Sequence, residues 1–176
     1  MLHLLWTLFV ATSVFVTAIT PLEAAQHPDA KDIAFMQKAA ENQLAEIALG
    51  RLALQKGGRK EVKQFGAEII EDHQYASQEA KDLAAEEEMY LPVKLDQKHT
   101  KEVQRFSKLS GDTFDQAYIL HVLNEHRRDL QEFEKNAATL HNEKVKQWAA
   151  ATVPILEVHM KKAERVAKAL GMKESK

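Results

Sequence analysis

The sequence predicts an all-α protein, a four-helix bundle made of two αα-hairpins. Apolar residues recur at steps of three or four over four long stretches, whereas no segment alternates apolar and polar residues over a useful length. The six glycines and four prolines mostly fall where such helices would end. A faint repeat, VKQF at 62–65 and VKQW at 145–148, stands near the start of the second helix of each predicted hairpin. Two similar hairpins form a four-helix bundle when they pack together.

The first hairpin is bounded by a capping residue and a glycine pair. Asp29 is the expected cap of a helix that runs to about residue 55. Gly57-Gly58 ends this helix, because glycine readily takes the left-handed conformation of a helix C-terminus. The second helix is predicted over about 59–88.

A connector over residues 89–111 joins the two hairpins and contains a short helix, about 96–109, that Gly111 closes. Asp112 is the expected cap of the third long helix, which runs to about residue 138. After a turn at 139–142, the fourth helix reaches Leu170 and Gly171 ends it. The connector could run along the bundle or turn back locally.

The first 25 residues differ from the rest. Residues 4–19 form an uncharged apolar run, which is short for a membrane span of about 20 residues but long enough for a signal peptide. However, no Lys or Arg precedes the run. We therefore predict a signal peptide over 1–25, with an uncleaved N-terminal anchor as the alternative, and one domain over 26–176. The domain is expected to be exported, either periplasmic or secreted, and to meet a membrane only through residues 4–19 if these stay uncleaved.

Composition excludes several function classes. The chain has no cysteine, so neither a disulfide framework nor a lipid-anchored cysteine can form. Only Glu23 is charged among residues 1–25, which leaves 24 basic and 25 acidic side chains in the domain. This balance argues against nucleic acid as a partner, because a nucleic-acid binder needs a basic face. No glycine-rich phosphate-binding loop is present, so a nucleotide cofactor is not expected.

Each predicted long helix carries one metal-capable residue near its midpoint, on an otherwise apolar face. These residues are Glu46, His73, His126 and His159. An unpaired polar group in a bundle core costs roughly 1–3 kcal/mol, so each of them needs a partner. In a bundle of similar helices the helix midpoints lie at the same height, whether neighbouring helices run parallel or antiparallel. We therefore predict that the four side chains meet and bind a divalent metal ion, which could be iron, manganese or zinc.

Three carboxylates stand next to the histidines in sequence. Asp72, Glu125 and Glu157 lie one or two residues away, so they could orient the imidazoles or join the ligands. The alternative is a buried Glu–His hydrogen-bond cluster that fixes the register of the helices. A lone inward histidine is more often a satisfied core residue than a ligand, and only the convergence of several favours a metal.

Several short motifs together resemble one known family. They are LAEI at 44–47, VKQF at 62–65, Asp72-His73, Leu91-Pro92, LSGDTFD at 109–115, Glu125-His126, and VPIL at 153–156 leading to His159. Over roughly residues 30–170 the chain resembles the exported bacterial family catalogued as domain of unknown function 4142, within the ferritin-like superfamily. The resemblance implies a ferritin-like four-helix bundle, secreted or periplasmic, with no settled biochemical activity.

The chain departs from the ferritin-like di-iron enzymes at the positions of their carboxylates. Those sites use Glu-x-x-His on two helices. Here Ile70 stands three residues before His73, and Leu156 three before His159. One glutamate and three histidines suit a single divalent ion better than an oxygen-activating di-iron centre.

Three functions are compatible with these features. The favoured one is an exported domain that binds a divalent ion and serves in metal handling or in oxidative or envelope stress. The second is a redox-active iron or manganese enzyme, which needs open coordination positions. The third is a structural or interaction module of the envelope, in which the polar cluster only fixes register. The sequence assigns no catalytic residue and no oligomeric state.

Overall fold

Residues 27–172 are described by a computed structural model, and this part of the chain contains five α-helices and no β-strand. The helices are α1 (Ala30–Lys56), α2 (Lys60–Glu86), α3 (Gln97–Ser107), α4 (Gly111–Thr139) and α5 (Glu143–Ala169). The predicted all-α class is confirmed, with α1–α2 and α4–α5 as the two hairpins. The predicted signal peptide or anchor, at 1–25, lies outside the described residues. None of the helices between residues 27 and 172 combines the length and the hydropathy that crossing a bilayer requires.

Two helix ends form as their capping residues predict. Asp29 is the N-cap of α1, and its carboxylate accepts hydrogen bonds from the backbone N–H groups of Lys31 and Asp32. The Asp32 carboxylate in turn accepts from the Asp29 backbone, which completes a capping box. Gly171 follows α5 with a φ of 71°, the left-handed conformation expected there.

Three helix ends differ from the sequence prediction. Gly57 ends α1 as predicted, but with a φ of −59° and not in the left-handed conformation. Gly111 does take that conformation, with a φ of 57°, but it begins α4 instead of closing the short helix. Ser110, and not Asp112, is the N-cap of α4. The sequence pattern assigns Gly111 to the preceding helix because a glycine between two helices can end the first or begin the second.

The connector runs the length of the bundle. The start of α4 lies beside the end of α1, where Gly57 and Gly111 form an isolated bridge. The start of α5 lies beside the end of α2, where the Asn142 side chain donates to Glu87 at 2.6 Å. Residues 87–110 must therefore travel from one end of the bundle to the other, and α3 packs on α1 and α4 along the way. A bundle with one long crossover is the ferritin-like arrangement.

The two hairpin turns are held by buried aspartates of the opposite hairpin. Asp115 of α4 accepts hydrogen bonds from the backbone N–H groups of Gly58 at 3.0 Å and Arg59 at 2.8 Å, in the α1–α2 turn. Asp32 of α1 accepts from the backbone N–H groups of His141 at 3.1 Å and of residue 142 at 3.2 Å, in the α4–α5 turn. Both carboxylates are fully buried. At each end of the bundle, an aspartate of one hairpin therefore holds the turn of the other hairpin through hydrogen bonds to its backbone.

The apolar core is divided into two clusters. One contains Phe35, Phe133 and Leu156 and lies towards the Asp32 end. The other contains Phe65 and Tyr118 and lies towards the Asp115 end. The layer between them contains buried polar residues from all four long helices, namely Gln43, Glu46, His73, His126, Asp129 and His159. The candidate site occupies this layer.

Candidate metal centre

Three buried histidines meet in the polar layer. His73 comes from α2, His126 from α4 and His159 from α5, and each is less than a tenth exposed. One ring nitrogen from each lies within 4.8 Å of the other two. Nε2 of His126 is 3.2 Å from Nδ1 of His159, and the rings of His73 and His159 are stacked with their centroids 5.5 Å apart. The structure thus brings together three of the four predicted metal ligands.

A carboxylate orients one of the three rings. Nε2 of His159 lies 2.8 Å from Oδ2 of Asp72. Because a carboxylate only accepts, this nitrogen carries a proton, and in the tautomer that has no second proton Nδ1 of His159 directs its lone pair at His126. When His126 carries its proton on Nδ1, its Nε2 lone pair points to the same place. This tautomer pair presents two ligand atoms to one common point.

Burial keeps the imidazoles of His73 and His126 neutral at pH 7. Desolvation lowers the pKa of His73 well below its ordinary value of 6.5, and the charges of His126 and His159 add to the effect. Desolvation also lowers the pKa of His126 to about 3, with His159 acting in the same direction and the Val122 carbonyl partly opposing it. A neutral ring nitrogen is the form that binds a metal ion.

Several nitrogens of the cluster make no hydrogen bond to the part of the chain that is described. They are both ring nitrogens of His73 and Nδ1 of His126. A buried polar atom left without a partner costs about 1–3 kcal/mol. A closed Glu–His hydrogen-bond cluster, the alternative raised by the sequence, would have satisfied these atoms.

Glu46 is buried in α1 beside this group but does not belong to it. Among the described residues, its carboxylate is not within 4.8 Å of all three ring nitrogens. Burial, followed by the charges of Asp129 and Glu102, raises the pKa of Glu46 to about 8, so its side chain is a neutral acid at pH 7. Burial also raises the pKa of the Tyr118 hydroxyl, and the charge of Glu46 acts in the same direction. The arrangement therefore offers three imidazoles at ligand distance, with Glu46 nearby in the same layer.

Of the three acids predicted to support the histidines, Asp72 is the one with a described contact to them. Glu125 pairs with Arg128 on the half-exposed side of α4. Glu157 is exposed and lies 4.0 Å from Lys161. Their adjacency in sequence to His126 and His159 does not bring them to the centre, because residues one or two apart on a helix point in different directions.

Asp129 and Asn42 lie beside the histidines but are not among the site residues predicted from the sequence. Asp129 is 9% exposed, burial raises its pKa to about 6, and it accepts a hydrogen bond from the Asn42 amide at 2.9 Å. Both residues line a cavity of about 30 Å³ that also contacts His73 and His159. This space is sufficient for one water molecule or one ion. The spacing of three between His126 and Asp129 places both on one face of α4, and this spacing could have revealed the acid.

A groove on the outer surface of α2 and α5 reaches one of these histidines, His159. It has a volume of about 570 Å³, and Asp72 and His159 form part of its lining. Its rim includes Tyr75 and Val158, which are 67% and 47% exposed. The Asp72–His159 pair therefore connects the buried centre to solvent.

Known proteins resemble this chain in sequence family and in fold. Residues 18–166 match the family described as Domain of unknown function (DUF4142). The crystal structure of a DUF305 protein from Streptomyces coelicolor, considered a secreted protein, has a TM-score of 0.68 and 14% identity, covering 82% of this chain and 96% of that one. A DUF305 fragment from Deinococcus radiodurans has a TM-score of 0.69 and 12% identity, covering 83% and 99%.

A third structure, of a protein from Bacillus halodurans C-125 considered a spore coat protein, has a TM-score of 0.65 and 10% identity, covering 86% and 94%. At these identities the likeness concerns the fold alone. No curated protein matches the sequence of this chain.

Proposed function

This chain belongs to the DUF4142 family, and we propose that its ferritin-like bundle is an exported domain that binds one divalent metal ion through His73, His126 and His159. Its role would be to hold or buffer such an ion outside the cytoplasm, in metal handling or in protection from oxidative or envelope stress.

The separation of the ring nitrogens is the observation that carries this proposal. Nε2 of His126 and Nδ1 of His159 are 3.2 Å apart. Two ligands bound at about 2.1 Å are about 3.0 Å apart on an octahedron and about 3.4 Å apart on a tetrahedron. The observed value falls between the two. His73 needs only a small side-chain movement to complete a facial set of three, since its ligand atom is already within 4.8 Å of the others.

The surroundings of the three rings favour a metal over an empty polar core. Asp72 accepts from the far nitrogen of His159, the arrangement by which a carboxylate fixes the orientation of a metal-bound histidine. Three protein ligands leave at least one coordination position, and the cavity shared with Asp129 and Asn42 lies where a water molecule could fill it. Three neutral nitrogen donors suit zinc, iron, nickel or copper(II) better than calcium or magnesium.

Export is supported by two features. The apolar run at 4–19 has the length of a signal peptide, and one structural neighbour is considered a secreted protein. We infer that the domain binds the metal in the periplasm or outside the cell. Its ligand set contains no cysteine, so disulfide formation there cannot remove a ligand.

Metal stoichiometry tests the proposal. Full-length protein is stripped with a chelator and titrated with Zn²⁺, in parallel with His126→Ala and with His27→Ala, which removes an exposed histidine. We expect His126→Ala to lose one tightly bound equivalent per chain and His27→Ala to retain it. Equal Zn²⁺ binding by wild type and His126→Ala would refute the proposal.

A further inference from the structure

We propose a second divalent-cation site, formed by Glu41, Asp96 and His99, that fastens the connector to α1. It is distinct from the three-histidine centre and shares no residue with it. Glu41 belongs to α1, whereas Asp96 is the N-cap of α3 and His99 lies in the first turn of that helix.

The three side chains converge as a ligand set does. One carboxylate oxygen from Glu41, one from Asp96 and one ring nitrogen of His99 all lie within 4.8 Å of one another. Nδ1 of His99 is 3.0 Å from Oδ1 of Asp96. This is the separation of two adjacent ligands on an octahedron with bonds of about 2.1 Å.

With no metal ion bound, a protonated His99 ring would pair directly with the Asp96 carboxylate at this distance. Oδ1 of Asp96 already accepts the backbone N–H of His99 at 2.7 Å, which is its role as a helix cap. Nδ1 of His99 is not aligned to donate to it, and this nitrogen has no hydrogen-bond partner among residues 27–172. His99 itself is only 7% exposed. A divalent cation bound by a neutral His99 ring would replace that pair and would bring in the Glu41 carboxylate, which converges on the same two atoms.

The composition of the cluster defines the class of ion. Two carboxylates and one imidazole form a harder, more negative ligand set than three imidazoles. Glu41 and Asp96 are partly exposed, so water can complete the coordination. Manganese(II) fits this set, and the three-histidine centre should prefer zinc over manganese.

The position of the cluster gives the ion a structural purpose. The connector crosses the whole bundle, and α3 is its one helical segment. An ion shared by Glu41 and by the first turn of α3 would fix the height at which the connector lies on α1. It would also offset the repulsion between the two carboxylates.

Manganese titration of full-length protein tests the site. We compare wild type with Glu41→Gln, which removes one ligand but neither the cap nor the buried ring, and with His99→Ala. Glu102→Gln is the matched control, since this α3 carboxylate faces His121 at 3.4 Å and not the cluster. His126→Ala, which removes only the first centre, separates the two proposals.

We expect Glu41→Gln and His99→Ala each to weaken Mn²⁺ binding by about tenfold or more, and Glu102→Gln and His126→Ala to leave it within about twofold of wild type. Unchanged Mn²⁺ affinity in Glu41→Gln would overturn the second site, even if His99→Ala fails to fold. Absence of Mn²⁺ binding by wild type would overturn it too, and would leave the three-histidine centre untouched.

Discussion

At the scale of single residues, the properties of the centre follow from which polar atoms the fold leaves without partners. His159 donates to Asp72 and its other nitrogen lies 3.2 Å from Nε2 of His126, whereas His73 has no hydrogen-bond partner in the described part of the chain. Asp72 is therefore the residue whose removal should weaken the centre without dismantling it.

We expect Asp72→Asn to lower Zn²⁺ affinity by about 10–100-fold, because the neutral amide no longer stabilises the proton on Nε2 of His159 or the charge of the bound ion. The partly exposed position of Asp72 should keep the change in folding stability small. Titration calorimetry checks this, with Glu71→Gln as control, since Glu71 lines the same groove without contacting the histidines. Equal affinities in the two variants would contradict the orienting role of Asp72.

Glu46 should make the metal-free protein less stable at alkaline pH. Burial raises its pKa from 4.5 to about 8, so the native state keeps a proton that the unfolded chain has lost. The contribution of Glu46 to the free energy of unfolding is therefore fully present below pH 4.5. It decreases as the pH rises above 4.5 and is lost once the pH has passed 8. Each pKa unit corresponds to about 1.4 kcal/mol, so the total effect is a few kcal/mol.

The measurement is urea unfolding of chelated wild type and Glu46→Gln between pH 6.5 and 8.5. His126 does not interfere there, because its lowered pKa of about 3 reduces stability only as the pH falls below 6.5. We expect the free energy of unfolding of wild type to fall relative to that of Glu46→Gln as the pH rises. Parallel curves would show that Glu46 is ionised in the folded protein.

The sequence was sufficient to predict the convergence of the three histidines, because their mid-helix positions on apolar faces do not depend on helix direction. It was not sufficient to predict ligand distances. Glu46 lies in the same layer but its carboxylate is not within reach of all three rings. One turn of helix already spans about 5.4 Å, which exceeds a coordination bond more than twofold. Helix midpoints therefore define a layer and not a coordination sphere.

At the scale of elements, each hairpin turn depends on a carboxylate that is remote in sequence. Asp115 serves the turn at residues 58–59, and Asp32 serves the turn at 141–142. Such contacts cannot be derived from local patterns. Asp115 has the spacing of a local capping residue of α4, and only the packing of the hairpins shows that it holds the α1–α2 turn instead.

Asp115→Ala should lower the free energy of unfolding by about 2–4 kcal/mol, because two buried backbone N–H groups lose a charged acceptor at once. Asp112→Ala is the control, since Asp112 is exposed in the same turn of α4. Denaturant unfolding measures the difference between the two variants. A decrease in the free energy of unfolding of less than about 0.5 kcal/mol for Asp115→Ala would show that this carboxylate does not stabilise the turn.

The contact between α1 and α2 depends on two glycines. A Cβ atom at Gly66 would lie 2.6 Å from the Cβ of Ala53, and one at Gly50 would lie 2.9 Å from the Gly66 carbonyl. We expect Gly66→Ala to reduce the free energy of unfolding by about 1–3 kcal/mol through overpacking, despite the higher helix propensity of alanine. Gln64→Ala, at an exposed position of the same helix, should not destabilise the protein. A stabilised Gly66→Ala variant would mean that the helices separate without cost.

At the scale of the whole molecule, the polar layer separates two apolar clusters and joins all four long helices. A metal ion bound there would link three helices at once, so its binding energy would add directly to the stability of the bundle. With the ion at about 100 times its dissociation constant, this contribution is about 2.7 kcal/mol. For a domain of this size it corresponds to a rise in Tm of about 5–10 °C.

Chelation should therefore lower the Tm of Zn²⁺-loaded wild type by several degrees. The double variant His73→Ala plus His126→Ala should lose most of this sensitivity, since it lacks two of the three ligands. Differential scanning calorimetry with and without chelator measures both. If chelator leaves the Tm of wild type unchanged, the polar layer serves only to fix the register of the helices.

The central claim is that His73, His126 and His159 hold one ion in common. Anomalous diffraction from a crystal soaked in Zn²⁺, recorded on both sides of the zinc edge, tests it most directly. We expect a peak about 2.0–2.2 Å from one nitrogen of each ring, with Asp72 still bonded to His159. A well-ordered centre with no anomalous peak among the three rings would contradict it.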